Sequence, residues 1–520
     1  MCIPRFHRGM QVLWTFLPVR IVRNKTTVDF ARHGDYNAFN GVGDAFIYVL
    51  VTGVGNDMKN RDTGKQRLDM LHGSLWDKIP RFALPIAATA ILGQLFNAAD
   101  IAVVGNFAGD VRTQSVAAVG ANGAIIGLIV QLFIGAALGA NVVIAHAIGE
   151  ENPAAVQKAV HTSIVVALIG GIAAALLGQL VAAPLLGALN VPEDVLPLAL
   201  LYLRIYLAGL PVILLYNFEA AIFRSIGETK TPLVVLTASG ILNVILNLFF
   251  VIVLRMAVAG VAVATVISNA VSSVLLYWRL RTTKQVIHVD PALLRVDGEI
   301  LKRILRIGLP AGIQSAVFSV SNIIIQSAVN SLGTVVMAAT SASFNIEVIT
   351  YNILSSFSQA CTTFVGQNFG AGQIRRCKRT LLLCIAEGVV ILAVVVPLVL
   401  FWGKTLLSVF SDDPAVVACG YIRLSALIPA HLFSLMYEVM SGYMRGFGIS
   451  LTPAALTTAG VCGIRVAWIH WVFPLHKSFQ TIVTVYPLSL GATALLIFIA
   501  LLCCHPSRRY ESVEAEGSFE

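Results

Sequence analysis

Twelve long apolar stretches follow one another from Ile79 to Cys504, and they limit what this chain can fold into. A helix needs about 20 residues to cross the hydrocarbon core of a bilayer, and each stretch is long enough. Only 12% of the residues are charged, 57% are hydrophobic and the mean hydropathy is +0.81. Because too few polar side chains remain to cover a soluble protein, the sequence predicts an all-α polytopic membrane protein with twelve transmembrane helices.

The predicted spans fall into two sets of six, separated by the most basic stretch of the chain, residues 279–306. They cover residues 80–106, 116–148, 155–182, 195–226, 232–254, 258–279, 306–332, 336–369, 377–402, 415–447, 453–474 and 481–504.

The loops between these spans differ in charge from one side of the membrane to the other. The central loop region 279–306 alone holds seven basic residues, and Arg375, Arg376, Lys378 and Arg379 fall on the same predicted side. Loops on the opposite side hold few basic residues. Since Lys and Arg collect in cytoplasmic loops, we expect a multi-pass protein of the cell (inner or plasma) membrane with both termini in the cytoplasm.

Residues 1–57 do not share the apolar pattern, because their two apolar pieces are too short to span a bilayer. We expect a disordered or mis-annotated N-terminal extension there, with translation starting at Met58. The remaining predicted parts are an N-terminal six-helix bundle (58–280), a cytoplasmic linker (281–305), a C-terminal six-helix bundle (306–504) and a cytoplasmic tail (505–520).

The two halves of the chain repeat each other, which indicates a duplicated unit. The pairs separated by 221 positions are Tyr216 and Tyr437, Arg224 and Arg445, and Pro232 and Pro453. Because six is an even number of helices, both copies cross the membrane in the same sense, as two parallel repeats. Such duplication favours two bundles around a central cavity that rock to give alternating access. No phosphate-binding loop of an ATPase occurs in the sequence, so an ion gradient is the expected energy source.

Several segments resemble a known family. They include "LFNAADIAVVGNFAG" (95–109), "FRSIGETKTPLVV" (223–235), "RIGLPAGIQS" (306–315) and "GYMRGFGISLTP" (442–453). From about Met58 to Cys504 the chain resembles the bacterial branch of the multidrug and toxic compound extrusion (MATE) family. The resemblance implies a monomeric secondary active exporter that exchanges small organic, cationic substrates for H⁺ or Na⁺, with no cofactor, no bound metal and no enzymatic activity.

Asp100 is the candidate for ion coupling. An acid inside the membrane costs about 2.5–3.5 kcal/mol on insertion scales, and Asp100 matches the aspartate that the family uses. The resemblance adds Asn243 and Asn247, one helical turn apart, and Thr265 on the next helix. Because Asn247 is an amide where many relatives have Asp, a sodium cage of several carboxylates is not expected. The structural alternative is that Asp100 only braces its helix through hydrogen bonds to Asn97 and Asn243.

The second bundle contains further charged groups within its spans. We predict that Glu347 pairs with Arg465, the only base near the centre of this bundle. At the family's sodium-binding positions of this bundle stand Phe318 and Ser434, so that site is not expected. Ion pairs are also predicted between Glu219 and Arg224 in the first bundle and between Glu438 and Arg445 in the second.

Other functions are weighed against export. A lipid-linked saccharide flippase of the same superfamily is the alternative, but it would need a cavity rich in Arg or Lys. A proton-conducting respiratory subunit would need Lys and Glu in mid-helix chains, and lysines are scarce in the spans. The formal charge of +9 lies in short clusters between apolar runs rather than in a nucleic-acid-binding patch, so only organic substrates and the lipid bilayer are expected as partners.

Overall fold

The computed structural model describes residues 68–188, 191–504 and 506–507. The expectations for residues 1–57, for translation from Met58 and for nearly all of the tail lie outside this part of the chain. Twelve helical segments correspond to the predicted spans. They are α1 (Lys78–Phe107), α2 (Arg112–Gly149), α3 (Pro153–Ala188), α4 (Leu196–Ala208 and Leu210–Ser225), α5 (Lys230–Val253), α6 (Ala257–Thr282), α7 (Gly298–Asn330), α8 (Thr334–Gly370), α9 (Ile374–Ser408), α10 (Pro414–Gly446), α11 (Leu451–Val472) and α12 (Phe479–Cys504).

Length and composition support the assignment of these helices as membrane spans. Ten are long and apolar enough to cross a bilayer, and the bent α4 makes eleven when its two pieces count as one. The remaining segment, α8, is 37 residues long but rich in Ser, Thr, Asn and Gln. Many of its polar side chains, such as Ser356, Thr362 and Asn368, are buried inside the protein, so they do not face lipid.

Breaks in the regular helices occur at recognisable residues. The two pieces of α4 meet at Gly209 with a bend of 50°, two residues before Pro211, which cannot donate a backbone hydrogen bond. In α5, a π-helical turn (Phe249–Val253) follows Asn247 almost directly. In the repeat-related α11, π-helical turns precede and follow Arg465. Such turns are frequent at functional sites because they displace side chains from the regular helical positions.

The linker between the bundles is shorter than the predicted 281–305, because α7 begins at Gly298. The Asp297 carboxylate caps this helix by accepting hydrogen bonds from the backbone N–H groups of Glu299 and Ile300, both at 3.1 Å. The bond from Ile300 holds the pKa of the Asp297 carboxyl below its usual value. As a result, Arg303 lies on a helix rather than in a loop. We call the side of the membrane with the Thr283–Asp297 connection the linker side, and the opposite side the far side.

The first helix of each bundle packs its linker-side end against the other bundle. In α1, Phe82 is fully buried and its ring meets that of Phe364 on α8 edge to face, with 5.6 Å between centroids. In α7, Ile304 and Ile307 belong to the apolar core that contains Ala140 of α2. The start of each bundle's first helix therefore packs against the other bundle, so α1 contacts both bundles.

Glycines allow the two bundles to come into backbone contact on the linker side. A Cβ atom on Gly135 of α2 would lie 2.3 Å from the Gly312 nitrogen on α7, and one on Gly370 of α8 would lie 2.2 Å from the His146 oxygen on α2. The His146 imidazole also bonds the Gly446 carbonyl oxygen of the other bundle at 2.7 Å. Nearer the far-side end of α2, a Cβ atom on Gly127 would meet no described atom within 4 Å. The bundles are therefore closed against each other on the linker side.

A short segment before α1, residues 68–77, crosses the linker side of the C-terminal bundle, and we call it the N-terminal strap. The Arg376 guanidinium on α9 donates to three strap carbonyls, those of Met70 (3.1 Å), His72 (3.1 Å) and Gly73 (2.9 Å). Asn368 donates a further hydrogen bond to the Met70 oxygen. The strap thus ties the start of α1 to the α8–α9 turn.

Candidate functional site

The predicted ion-coupling residues come together between α1, α5 and α6. Asp100 is 5% exposed. One carboxylate oxygen accepts from the Asn247 side chain at 2.5 Å, and the other accepts from the Thr265 hydroxyl at 3.2 Å. Asn243 is linked to Asp100 through the other two residues. Its amide oxygen accepts a hydrogen bond from Asn247 at 3.2 Å, and its side-chain nitrogen lies 3.4 Å from the Thr265 hydroxyl. The four residues form one closed ring.

This ring fits Asp100 in either protonation state. The Thr265 hydroxyl lies 3.2 Å from Asp100 and 2.9 Å from the Val261 carbonyl oxygen, yet it has one proton to donate. If Thr265 donates to Asp100, the ring holds a carboxylate. If Thr265 donates to Val261, a protonated Asp100 can donate to the threonine oxygen instead. A small rotation of the Thr265 hydroxyl would be enough for the ring to hold either form of Asp100.

The hydrogen-bond partners of Asp100 differ from those named in the structural alternative. That alternative needs bonds from Asn97 and Asn243, whereas the bonds in the described structure come from Asn247 and Thr265. Two tyrosines on α4, Tyr202 and Tyr206, lie near enough to interact electrostatically with Asp100. The sequence does not single them out, because a tyrosine in an apolar helix has no distinguishing spacing.

In the second bundle the predicted pair of Glu347 with Arg465 is wrong. Glu347 instead binds Arg423 of α10 through two parallel hydrogen bonds of 2.7 and 2.9 Å. Both side chains are almost fully buried. The physical reason is the helix packing: α8 packs directly against α10, whereas Arg465 on α11 points towards α7 and α12.

Arg465 is held by uncharged groups. Its guanidinium donates to Ser489 at 3.1 Å and reaches Asn322 at 3.5 Å. It also lies 5.2 Å from the ring centre of Phe318 and 4.6 Å from that of Tyr486. Arg423 lies 4.8 Å from the same Tyr486 ring, so both cations contact this tyrosine.

The two other predicted ion pairs are also absent from the described residues. Glu219 accepts from the Ser273 hydroxyl at 3.1 Å. Glu438 accepts from the Tyr351 hydroxyl at 2.9 Å, while Arg445 donates to the Gln314 side chain at 3.1 Å. Neutral donors thus replace the expected cations, because side chains on the same helix point to different neighbours even when they are close in sequence.

Comparisons with known proteins agree with this architecture. The MatE family model matches residues 85–249 and 310–469. The probable multidrug resistance protein YoeA of Bacillus subtilis is 25% identical over 434 residues, which cover 82% of this chain and 93% of YoeA. The probable multidrug resistance protein NorM of Thermotoga maritima is 26% identical over 77% of this chain and 85% of its own length.

Solved structures show the same fold. The structure described as the outward-facing conformation of a multidrug resistance MATE family transporter of the MOP superfamily superimposes with a TM-score of 0.77. The match covers 86% of this chain and 99% of that one at 21% identity. At this level of identity the likeness concerns the fold, which has twelve helices in two repeats.

Proposed function

The chain belongs to the MatE family, and on that premise we propose that it exports small organic compounds, cationic ones among them, in exchange for protons. The names of its relatives support multidrug export as the general function. The observation that carries the proton assignment is the Asp100 ring: a single buried carboxyl whose oxygens receive hydrogen bonds from a side-chain amide and a hydroxyl.

The ring favours H⁺ over Na⁺ on chemical grounds. A sodium ion needs several oxygen ligands directed at one point, as hard cations do. At Asp100 the Asn247 side chain directs its N–H group at the carboxylate instead, and no second described carboxylate takes part in the ring. A proton needs only one acceptor oxygen and a hydroxyl that can rotate.

Alternating access would couple this site to transport. Entry of water stabilises an ionised acid, whereas apolar surroundings favour its neutral form. We propose that Asp100 takes up a proton while the bundles are open to the far side, and loses it once they open on the linker side. We place the linker side in the cytoplasm because its loops carry most of the basic residues.

The test is dye transport in everted membrane vesicles under either a proton or a sodium gradient. Proton-driven uptake of a fluorescent cationic dye is expected for the wild type and for Glu387→Gln, a matched change of a buried membrane acid outside the ring. Asp100→Asn is expected to lose this uptake while still binding the dye. Uptake that follows only the sodium gradient, or that persists in Asp100→Asn, would contradict proton coupling at Asp100.

A further inference from the structure

A cavity of about 630 Å³ lies between the two bundles on the linker side. It is surrounded by the ends of α2, α8 and α12, the starts of α3 and α7, and the turn between α10 and α11. The cavity is distinct from the Asp100 ring, which lies towards the far ends of α1 and α5. Since both bundles contribute to its walls, an occupant would touch both at once.

Two arginines give this cavity a positive wall. Arg303 and Arg306 are three positions apart on α7, so their side chains leave the same helix face about 5–6 Å apart. Both are exposed, and neither forms an ion pair with an acid in the described part of the chain. Guanidinium groups match the oxygens of a phosphate in geometry and charge.

The other polar groups of the cavity do not cancel this preference. His146 already bonds the Gly446 carbonyl oxygen through Nε2. Glu150 is exposed at the end of α2 and is the only acid among the described residues of the lining, so the described lining has an excess of positive charge. An anionic group is therefore favoured over a cationic one.

The surroundings of the arginines are apolar on two sides. Within the cavity, Ile307 and Phe447 are part of the lining. On the outside of α7, Leu305, Leu309 and Ile313 form a stripe at four-residue spacing and are 40%, 44% and 48% exposed, as expected of a surface in contact with acyl chains. A phosphate group held here would lie beside both water and lipid.

We propose that this cavity binds the headgroup of an anionic phospholipid from the linker-side leaflet, and that the bound lipid stabilises the form in which the bundles are closed on that side. Basic pockets between membrane helices recognise such headgroups. Free inorganic phosphate shares the charge but not the acyl chains, so it would gain nothing from the apolar stripe. The proposal does not depend on which substrates are exported.

The experiment compares the full-length protein in nanodiscs of phosphatidylcholine alone with nanodiscs of phosphatidylcholine and phosphatidylglycerol in equal parts. Thermal unfolding and native mass spectrometry of retained lipid are the two measurements. Phosphatidylglycerol is expected to raise the unfolding midpoint of the wild type and to be retained preferentially. In Arg303→Gln/Arg306→Gln, the apparent affinity for phosphatidylglycerol should fall roughly thirtyfold, because each basic side chain contributes about a fivefold preference for an anionic membrane lipid.

Control variants separate this site from general charge effects. Arg281→Gln/Arg375→Gln removes two exposed basic residues outside the cavity and is expected to leave the phosphatidylglycerol effect unchanged. Arg303→Lys/Arg306→Lys keeps both charges and should keep most of the effect, which also guards against misfolding of the Gln variant. The proposal is overturned if the Gln variant responds to phosphatidylglycerol like the wild type, or if inorganic phosphate in phosphatidylcholine nanodiscs stabilises the wild type equally well.

Discussion

Replacing Gly135 with Ala is expected to weaken closure of the bundles on the linker side. The added Cβ would lie 2.3 Å from the Gly312 nitrogen and 2.4 Å from its Cα atom. Non-bonded heavy atoms prefer separations of about 3.5–4.0 Å. Because both atoms belong to the α7 backbone, no side chain can rotate away. Helices α2 and α7 must therefore move apart by roughly 1 Å or strain their backbones.

The size of the effect follows from the cost of overpacking. An extra methyl group forced into a well-packed contact costs about 1–3 kcal/mol. Only the closed form bears this cost, since the methyl group has room once α2 and α7 separate. As each 1.4 kcal/mol is a factor of ten in an equilibrium constant, the ratio of closed to open protein should fall roughly 5- to 150-fold.

Spin labels can measure this ratio. One label replaces Glu150 at the end of α2 and the other replaces Arg375 at the start of α9, both exposed on the linker side, in a background without the exposed Cys503 and Cys504. Pulsed electron resonance then gives the distance distribution in lipid nanodiscs. Gly135→Ala should increase the long-distance population.

The matched control is Gly127→Ala, on the same helix, where the new Cβ meets no described atom within 4 Å. It should leave the distribution as in the wild type and should stabilise α2 slightly, because Ala is the better helix former. If Gly135→Ala also keeps the wild-type distribution, or if both variants open the linker side equally, backbone contact between α2 and α7 does not determine closure.

Two further predictions concern charged contacts of the second bundle. Glu347→Gln should lower stability by about 3–5 kcal/mol in thermal unfolding, since it leaves the buried Arg423 without its partner. Glu347→Gln combined with Arg423→Met should recover most of this loss. A double variant as unstable as Glu347→Gln alone would show that the loss of stability does not come from leaving Arg423 unpaired. Arg376→Gln should speed amide exchange in the strap by roughly five- to tenfold, because a hydrogen bond at a partly exposed site contributes about 1 kcal/mol. Arg375→Gln, whose exposed side chain has no described bond to the strap, is its control, and equal exchange in both variants would refute the role of Arg376.

The sequence predicted the helices well and the side-chain partners less well. Apolar length predicts most ends of the spans to within about four residues, but α3 and α9 extend six residues beyond their predicted ends. Helix α7 begins eight residues earlier than predicted, because its first turns are polar enough to resemble a loop. The Asp100 ring was found through family resemblance, which carries information on spatial neighbours. The partner of Glu347 was missed because sequence position does not give the depth or direction of a side chain in long, tilted helices. Arg423, near the far end of α10, was therefore passed over for Arg465.

The position of α1 explains how a proton at one site could affect both bundles. Its far-side half holds Asp100 against α5 and α6 of the first bundle, while its linker-side half packs Phe82 against α8 of the second. Pro85 interrupts the backbone hydrogen bonding near this contact, which makes bending easier than in an unbroken helix. A displacement at Asp100 must therefore either bend α1 or shift its contact with α8. Either response would change the linker-side interface, so a proton bound at Asp100, as proposed, would need no separate chain of residues to affect the opposite bundle.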